Sequence, residues 1–218
     1  MSIAGKTITL FCLSSNDEQG GLQTVKDSYS KFPHFDKCIL GGLKNADDGN
    51  VKIFDCSHIK NARGYNEFII KDLNNLISTD FVLIIQTDGY ILNPHSWSNL
   101  FLHYDYVGAP WRAFNGVCGN GGFCLRSKKF LEESAKIFNQ YEWNDPTYVP
   151  RWYPSHPEDY FLCKQSRSTL ESKGIKFAPG GVGQQFSFEY PMGIPNEGLH
   201  SSFGFHGKHN IERARAIS

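Results

Sequence analysis

The chain has no apolar run of the ~20 residues that a membrane-spanning helix needs. Its N-terminal apolar stretch, Thr7-Ile-Thr-Leu-Phe-Cys-Leu13, is too short for the core of a secretory leader and reads as a strand. It has no charge of prevailing sign either: 22 Lys and Arg balance 22 Asp and Glu. That balance argues against a nucleic-acid partner and against a membrane surface. None of the six cysteines forms a C-x-x-C pair, and Cys12 and Cys38 sit inside apolar runs. They read as packed, reduced thiols and not as a zinc site or disulfide framework. Neither G-x-G-x-x-G nor G-x-x-x-x-G-K-[ST] occurs, so no dinucleotide fingerprint or P-loop is expected. Internal repeats and low-complexity linkers are absent as well. A soluble protein of a reducing, cytoplasmic compartment is the expectation.

What is present suits one large globular domain or a domain and a half, with ample core: 218 residues, 40% of them hydrophobic. Phe81-Val-Leu-Ile-Ile85 is a short continuous apolar run, the signature of a strand buried on both faces. It stops abruptly at Gln86-Thr87-Asp88-Gly89. Residues just past the carboxyl end of such a strand are where open α/β sheets hold ligands. Strands are also expected at 7–13, 37–40 and 51–54. Helical spacing follows Asp17 (Leu22, Val25, Tyr29) and runs from Tyr65 to Ile77. Alternating strands and helices predict a parallel sheet with crossovers. Further along, the pattern predicts a short helix at 96–103, a short strand at 106–111, and helices over 128–141 and 158–173. A glycine-broken strand is expected at 177–188, and a basic, helical tail at 208–218.

Four short motifs can carry chemistry. Asp88, at a strand end, can hold a hard cation or a sugar hydroxyl, although an Asp-Gly pair also makes turns. Gly119-Asn-Gly-Gly-Phe123 lets backbone approach a ligand closely, or simply turns before a strand. In Ser155-His-Pro-Glu-Asp-Tyr160 the acidic pair suits a helix N-terminus. The same position keeps Asp159 ionised, as a general base must be. His206, in Phe-Gly-Phe-His-Gly, can ligate a metal or contact phosphate, or merely pack.

In this order the four motifs resemble those of the GT-A nucleotide-sugar glycosyltransferases: the D-x-D, the glycine loop, the x-E-D and the C-terminal histidine. The resemblance spans residues 7 to 207. It is nearest to glycosyltransferases of bacteria and large DNA viruses, including domains that glycosylate viral capsids. Those proteins are similar in Gln-Thr-Asp-Gly-Tyr-Ile-Leu-Asn-Pro94, Tyr-Asp-Tyr-Val-Gly-Ala-Pro-Trp111 and Ser-Phe-Gly-Phe-His-Gly207. The resemblance implies an α/β, GT-A type fold: a Rossmann-like, mostly parallel central sheet flanked by helices, with a smaller mixed acceptor-side part. It implies one domain, with a nucleotide-binding half (1–90), an acceptor-side half (91–207) and a tail (208–218) leading toward a further domain.

It also implies roles. Asp88 meets Mn²⁺ or Mg²⁺, and His206 is a second ligand or a diphosphate contact. Gln86 stands where the first carboxylate of D-x-D is expected, with Thr87 between. Leu13, Ser14, Ser15 and Gly41 flank base and ribose, and Arg63 reaches ribose or phosphate. Gly121 and Gly122 line the acceptor side, and Asp159 is the base, with Glu158 beside it. The implied reaction moves a sugar from a UDP-sugar to a glycan or glycoprotein hydroxyl by single displacement, in host cytoplasm if the chain is viral. Two rivals remain. A sugar nucleotidyltransferase would carry a basic glycine-rich loop after its first strand, whereas Ser14–Glu18 is acidic. A non-catalytic glycan-binding domain would use Trp97, Trp111, Trp143 and Trp152 as stacking platforms. Donor choice is expected to rest partly on the aromatic stretch 141–153.

Overall fold

The structure, a computed structural model, describes residues 3–140, 157–193 and 197–216. Trp143, Trp152 and the stretch 141–153 lie outside them. Four parallel strands form the heart of a seven-stranded sheet: β1 (Ile8–Leu13), β2 (Lys37–Gly42), β4 (Val51–Asp55) and β5 (Phe81–Ile85). The full order is β3-β4-β2-β1-β5-β9-β6. The antiparallel members are β3 (Ala46–Asp48), β9 (Phe123–Ser127) and β6 (Tyr106–Gly108). Every residue of β5 is buried. Its alternate residues feed two cores: Val82 and Ile84 one face, Leu83 and Ile85 the other. Helices cover both faces, which is why the strand is apolar throughout and not alternating.

Helix α1 (Glu18–Lys31) starts at Asp17, whose side chain accepts from Gly20 N–H. Helix α2 begins as Ala62–Glu67, capped by Asn61, opens into a π turn at Phe68–Asp72 and ends as Leu73–Leu76. Helix α3 is Lys128–Gln140. Helix α4 begins with only three residues, Glu158–Tyr160, passes through a second π turn at Phe161–Gln165 and closes as Arg167–Ser172. Such insertions are frequent at functional sites. A small hairpin pairs β7 (Pro110–Trp111) with β8 (Val117–Cys118).

Two local expectations change. The 177–188 segment is mainly a helix, α5 (Gly180–Phe186), followed by the two-residue strand β10 (Ser187–Phe188). Its glycines permit close packing. A Cβ on Gly180 would lie 2.4 Å from the Gly116 carbonyl oxygen, and one on Gly183 2.5 Å from that of Gly108. Tertiary contact therefore overrides the weak helix propensity of glycine. The segment 96–103 is not one helix but two 3₁₀ turns, Pro94–Ser96 and Asn99–His103. The tail is helical, as α6 (Lys208–Arg215).

Register decides where the site forms. Leu13 stands beside Gly41, and Cys12 beside Ile85, so β1, β2 and β5 end together. Because β9 runs antiparallel to β5, with Ile85 opposite Phe123, its glycine-rich entry meets the β5 exit. The strand β11 (Gly204–Phe205) pairs with β10, and Gly207 N–H donates to the Asp88 carbonyl at 2.8 Å. Backbone alone thus carries His206 to Asp88.

Candidate active site

Three adjoining cavities line this edge. The first, about 370 Å³, lies among Ser14–Asp17, Asn61 and Gln86–Asp88. The second, about 230 Å³, is shared by Tyr65, Gln86, Gly121, Gly122, Asp159, Glu189 and His206. The third, about 480 Å³, is aromatic, with Trp111, Phe114, Tyr160 and Tyr190 beside Asp159 and Glu189. Tyr65 and Gln86 belong to the first two, and Asn120, Asp159 and Glu189 to the last two. Together they make one trench.

At the joint of the first two cavities, four side chains converge. His206 Nε2 lies 3.5 Å from Asp88 Oδ1 and 3.3 Å from Gln86 Oε1. Its Nδ1 lies 3.3 Å from Glu189 Oε1. Gln86 Nε2 donates to the Tyr65 hydroxyl at 2.9 Å, so its amide oxygen is the group turned to His206. Burial opposes charge on His206, but hydrogen bonds to Asp88 and Glu189 outweigh it and raise the imidazole to about 9. The His206 hydrogen bond in turn holds the Asp88 carboxyl below its usual range. Room for the ring comes from Gly122, where a Cβ would stand 2.1 Å from Nε2. Among the described residues no three His, Cys, Asp or Glu side chains form a metal group. The donor set here is mixed: Asp88, the Gln86 amide and His206. Separations of 3.3 and 3.5 Å suit two ligands of one ion held at roughly 2.0–2.3 Å. A histidine whose other nitrogen meets a carboxylate is the usual outer arrangement of a metal site. The residues therefore fit a divalent cation, which would displace a proton from His206 on binding.

The glycine loop and the start of α4 meet in the middle cavity. Gly121 N–H donates to Asp159 Oδ2 at 3.0 Å, and Tyr160 N–H to Oδ1 at 2.7 Å. The helix start was expected to keep Asp159 ionised; instead burial, then the neighbouring Glu158 charge, pushes its carboxyl up to about 7. Glu158 turns the other way. It is 4% exposed and receives both contacts of the fully buried Arg126 Nη2, at 2.8 Å each. Asn120 ties the loop to the opposite wall: Nδ2 donates to Glu189 Oε2 at 3.0 Å, and Oδ1 accepts from Gly122 N–H at 3.0 Å.

The expected residues divide clearly. Leu13, Ser14, Ser15, Gln86, Thr87 and Asp88 line the first cavity. Gly121, Gly122, Glu158, Asp159 and His206 line the second, where Gln86 joins them. Gly41 and Arg63 line none of the three. Gly41 is packed against Leu13 and Cys56, and Arg63 pairs with Glu67 on the outer face of α2 at 3.0 Å. Trp97 sits among Phe32, Phe101 and Phe203, whereas Trp111 opens on the third cavity. Sequence reading missed Glu189, Asn120, Tyr65 and Arg126. All six cysteines are buried and unpaired, and no helix of the described residues is long and apolar enough to cross a membrane.

Residues 48–206 match the family described as a protein of unknown function, DUF5672. The chain belongs to DUF5672. No curated protein matches it in sequence. Solved structures that share its fold include two glycosyltransferases. A glycosyltransferase involved in glycosylation of the major capsid of PBCV-1 overlays with TM-score 0.54 at 14% identity, covering 97% of this chain and 98% of that one. The apo-form glycosyltransferase GlyE of Streptococcus pneumoniae TIGR4 overlays with TM-score 0.52 at 15% identity. That match covers 92% of this chain but 54% of GlyE, so this DUF5672 chain spans about half the pneumococcal protein. The fold is thus the GT-A type expected from the motifs, on an α/β sheet that is mostly parallel.

Proposed function

We propose that this DUF5672 protein is a glycosyltransferase that moves a sugar from a UDP-linked donor to a glycan hydroxyl, with inversion. The observation that carries the reading is convergence: Asp88, Gly121–Gly122, Asp159 and His206 border one middle cavity or its rim, between a polar trench and an aromatic one. The polar end, at Ser14–Asp17 and Asp88, takes the nucleotide. The aromatic end takes the acceptor, because sugar rings present an apolar face to Trp111 and its neighbours.

Asp159 is the base. Two backbone N–H groups fix its carboxylate, and a pKa of about 7 matches proton transfer at neutral pH. It takes the acceptor proton as that oxygen attacks the anomeric carbon, and the bond to the diphosphate breaks on the opposite side. A divalent cation held by Asp88, Gln86 and His206 would neutralise the charge developing on the diphosphate. Glu189 orients His206 and, through Asn120, the glycine loop.

Thermal shift with UDP, GDP, CMP and TDP, each with and without Mn²⁺, tests this reading. The expectation is Mn²⁺-dependent stabilisation by UDP. Stabilisation by glycans alone would instead point to a binding module. Asp88→Ala should weaken Mn²⁺-dependent UDP binding by at least the ~10–100-fold typical of losing an outer-shell partner. UDP affinity unchanged in the presence of Mn²⁺ would remove the cation role. Trp111→Ala should raise the acceptor KM about tenfold and leave donor KM alone. Equal effects on both would move the acceptor elsewhere.

A further inference from the structure

Beneath the middle cavity lies a charge pair whose guanidinium lines none of the three cavities. Arg126, from β9, is completely buried and grips both oxygens of Glu158 through one nitrogen. Its Nε meets Cys124 Sγ at 3.2 Å, and its Nη1 is buried without a partner among the described residues. The rings of Tyr106 and Phe130 flank it, their centroids 5.3 and 5.7 Å away. A buried pair left this incompletely bonded is a weak source of stability. Its place suggests another use. A Cβ on Gly121 would stand 2.2 Å from Glu158 Oε1 and 3.2 Å from Arg126 Nη2. The loop residue that donates to Asp159 therefore rests on the ion pair itself.

We propose that Arg126 and Glu158 are positioning residues: the pair seats Gly121 and sets the charge and aim of the Asp159 carboxylate, without touching substrate. The inference rests on Asp159 being the base. It gives Glu158 a role other than that of a reacting acid. Titratable or charged groups face Asp159 from several elements: Glu158, Tyr160 and Cys163 on its own helix, Arg126 from β9, Tyr65 from α2, Arg112 and Tyr190 in the third cavity, and Glu189 and His206 across the middle one. Of these charges Glu158 has the largest effect, and it favours the protonated acid. Arg126 acts oppositely and more weakly.

Carboxyl ¹³C NMR titration of the whole chain, assigned with Asp159→Asn, tests this without an acceptor. The Gly121 amide proton, bonded to Asp159, should titrate with it. In Glu158→Gln, which can still accept from Arg126, the midpoint is expected to fall by about one pH unit or more. The double variant Arg126→Met/Glu158→Leu replaces the pair with apolar side chains and is expected to fold. Its midpoint should fall too, by less, with the Gly121 amide no longer following Asp159. Midpoints unmoved in both variants, with Gly121 still tracking, would overturn the positioning role. Turnover by Asp159→Asn is a separate measurement: it decides whether Asp159 is the base, whatever the titrations show.

Discussion

Asp159→Asn is expected to lower sugar transfer by about 10²–10⁴-fold while donor binding stays intact. The asparagine keeps the shape, but its single amide oxygen can accept from only one of the Gly121 and Tyr160 N–H groups, which reach the two oxygens of Asp159 at 3.0 and 2.7 Å. It cannot take a proton. The pH profile carries the same signature. A base must be ionised to act, and the Asp159 carboxyl is pushed up to about 7. Wild-type kcat/KM should therefore climb with pH through about 7 and level off above it, and the variant should lose that limb. Stability should move the opposite way. The folded-state pKa of about 7 lies above that of an unfolded aspartate, so stability is lost as pH rises from about 4 through about 7 and is flat above. The Tm of the asparagine variant should consequently fall less than that of wild type between pH 5 and pH 8. Retained turnover with the limb intact would place the base elsewhere.

Arg126→Met alone is expected to destabilise the chain by about 3–5 kcal/mol, because it strands the Glu158 carboxylate in a buried site. Glu158 is 4% exposed, and among the described residues Arg126 is its ion-pair partner. For a domain of this size that corresponds to a Tm lower by about 10 °C. Denaturant or thermal unfolding at pH 7 reads it directly. A shift of only a degree or two would mean that Glu158 reaches water or another partner. The contrast with the double variant is informative, since removing both charges leaves nothing stranded.

Much of the trench was legible along the chain. The β5 run ends so sharply at Gln86 that Asp88 had to lie at a sheet edge. The glycine loop, Asp159 and His206 each carried a local signal, and their order carried the resemblance. Glu189 carried none. It matters through Asn120, 69 residues away, and through His206, 17 residues away. Neither contact leaves a spacing in the sequence. Tyr65 read as part of an apolar helix face, which hid the hydroxyl that turns Gln86. Arg126 carried no signal either: it lies on a buried strand, and its partner Glu158 is 32 residues away. The α5 glycines read as breaks because their partners, the Gly116 and Gly108 carbonyls, come from elsewhere in the chain. Gln86 stood out as an oddity, a neutral side chain where a carboxylate was expected. In the folded chain it shares His206 with Asp88 and Glu189, so two carboxylates still reach the imidazole.

A crystal structure of the full chain grown with UDP and Mn²⁺ tests the central claim most directly. The account predicts the nucleotide ordered between Ser14–Asp17 and Asn61, with its diphosphate beside Asp88 and His206 and pointing toward Asp159. UDP ordered elsewhere, or an empty trench at saturating UDP, would contradict it.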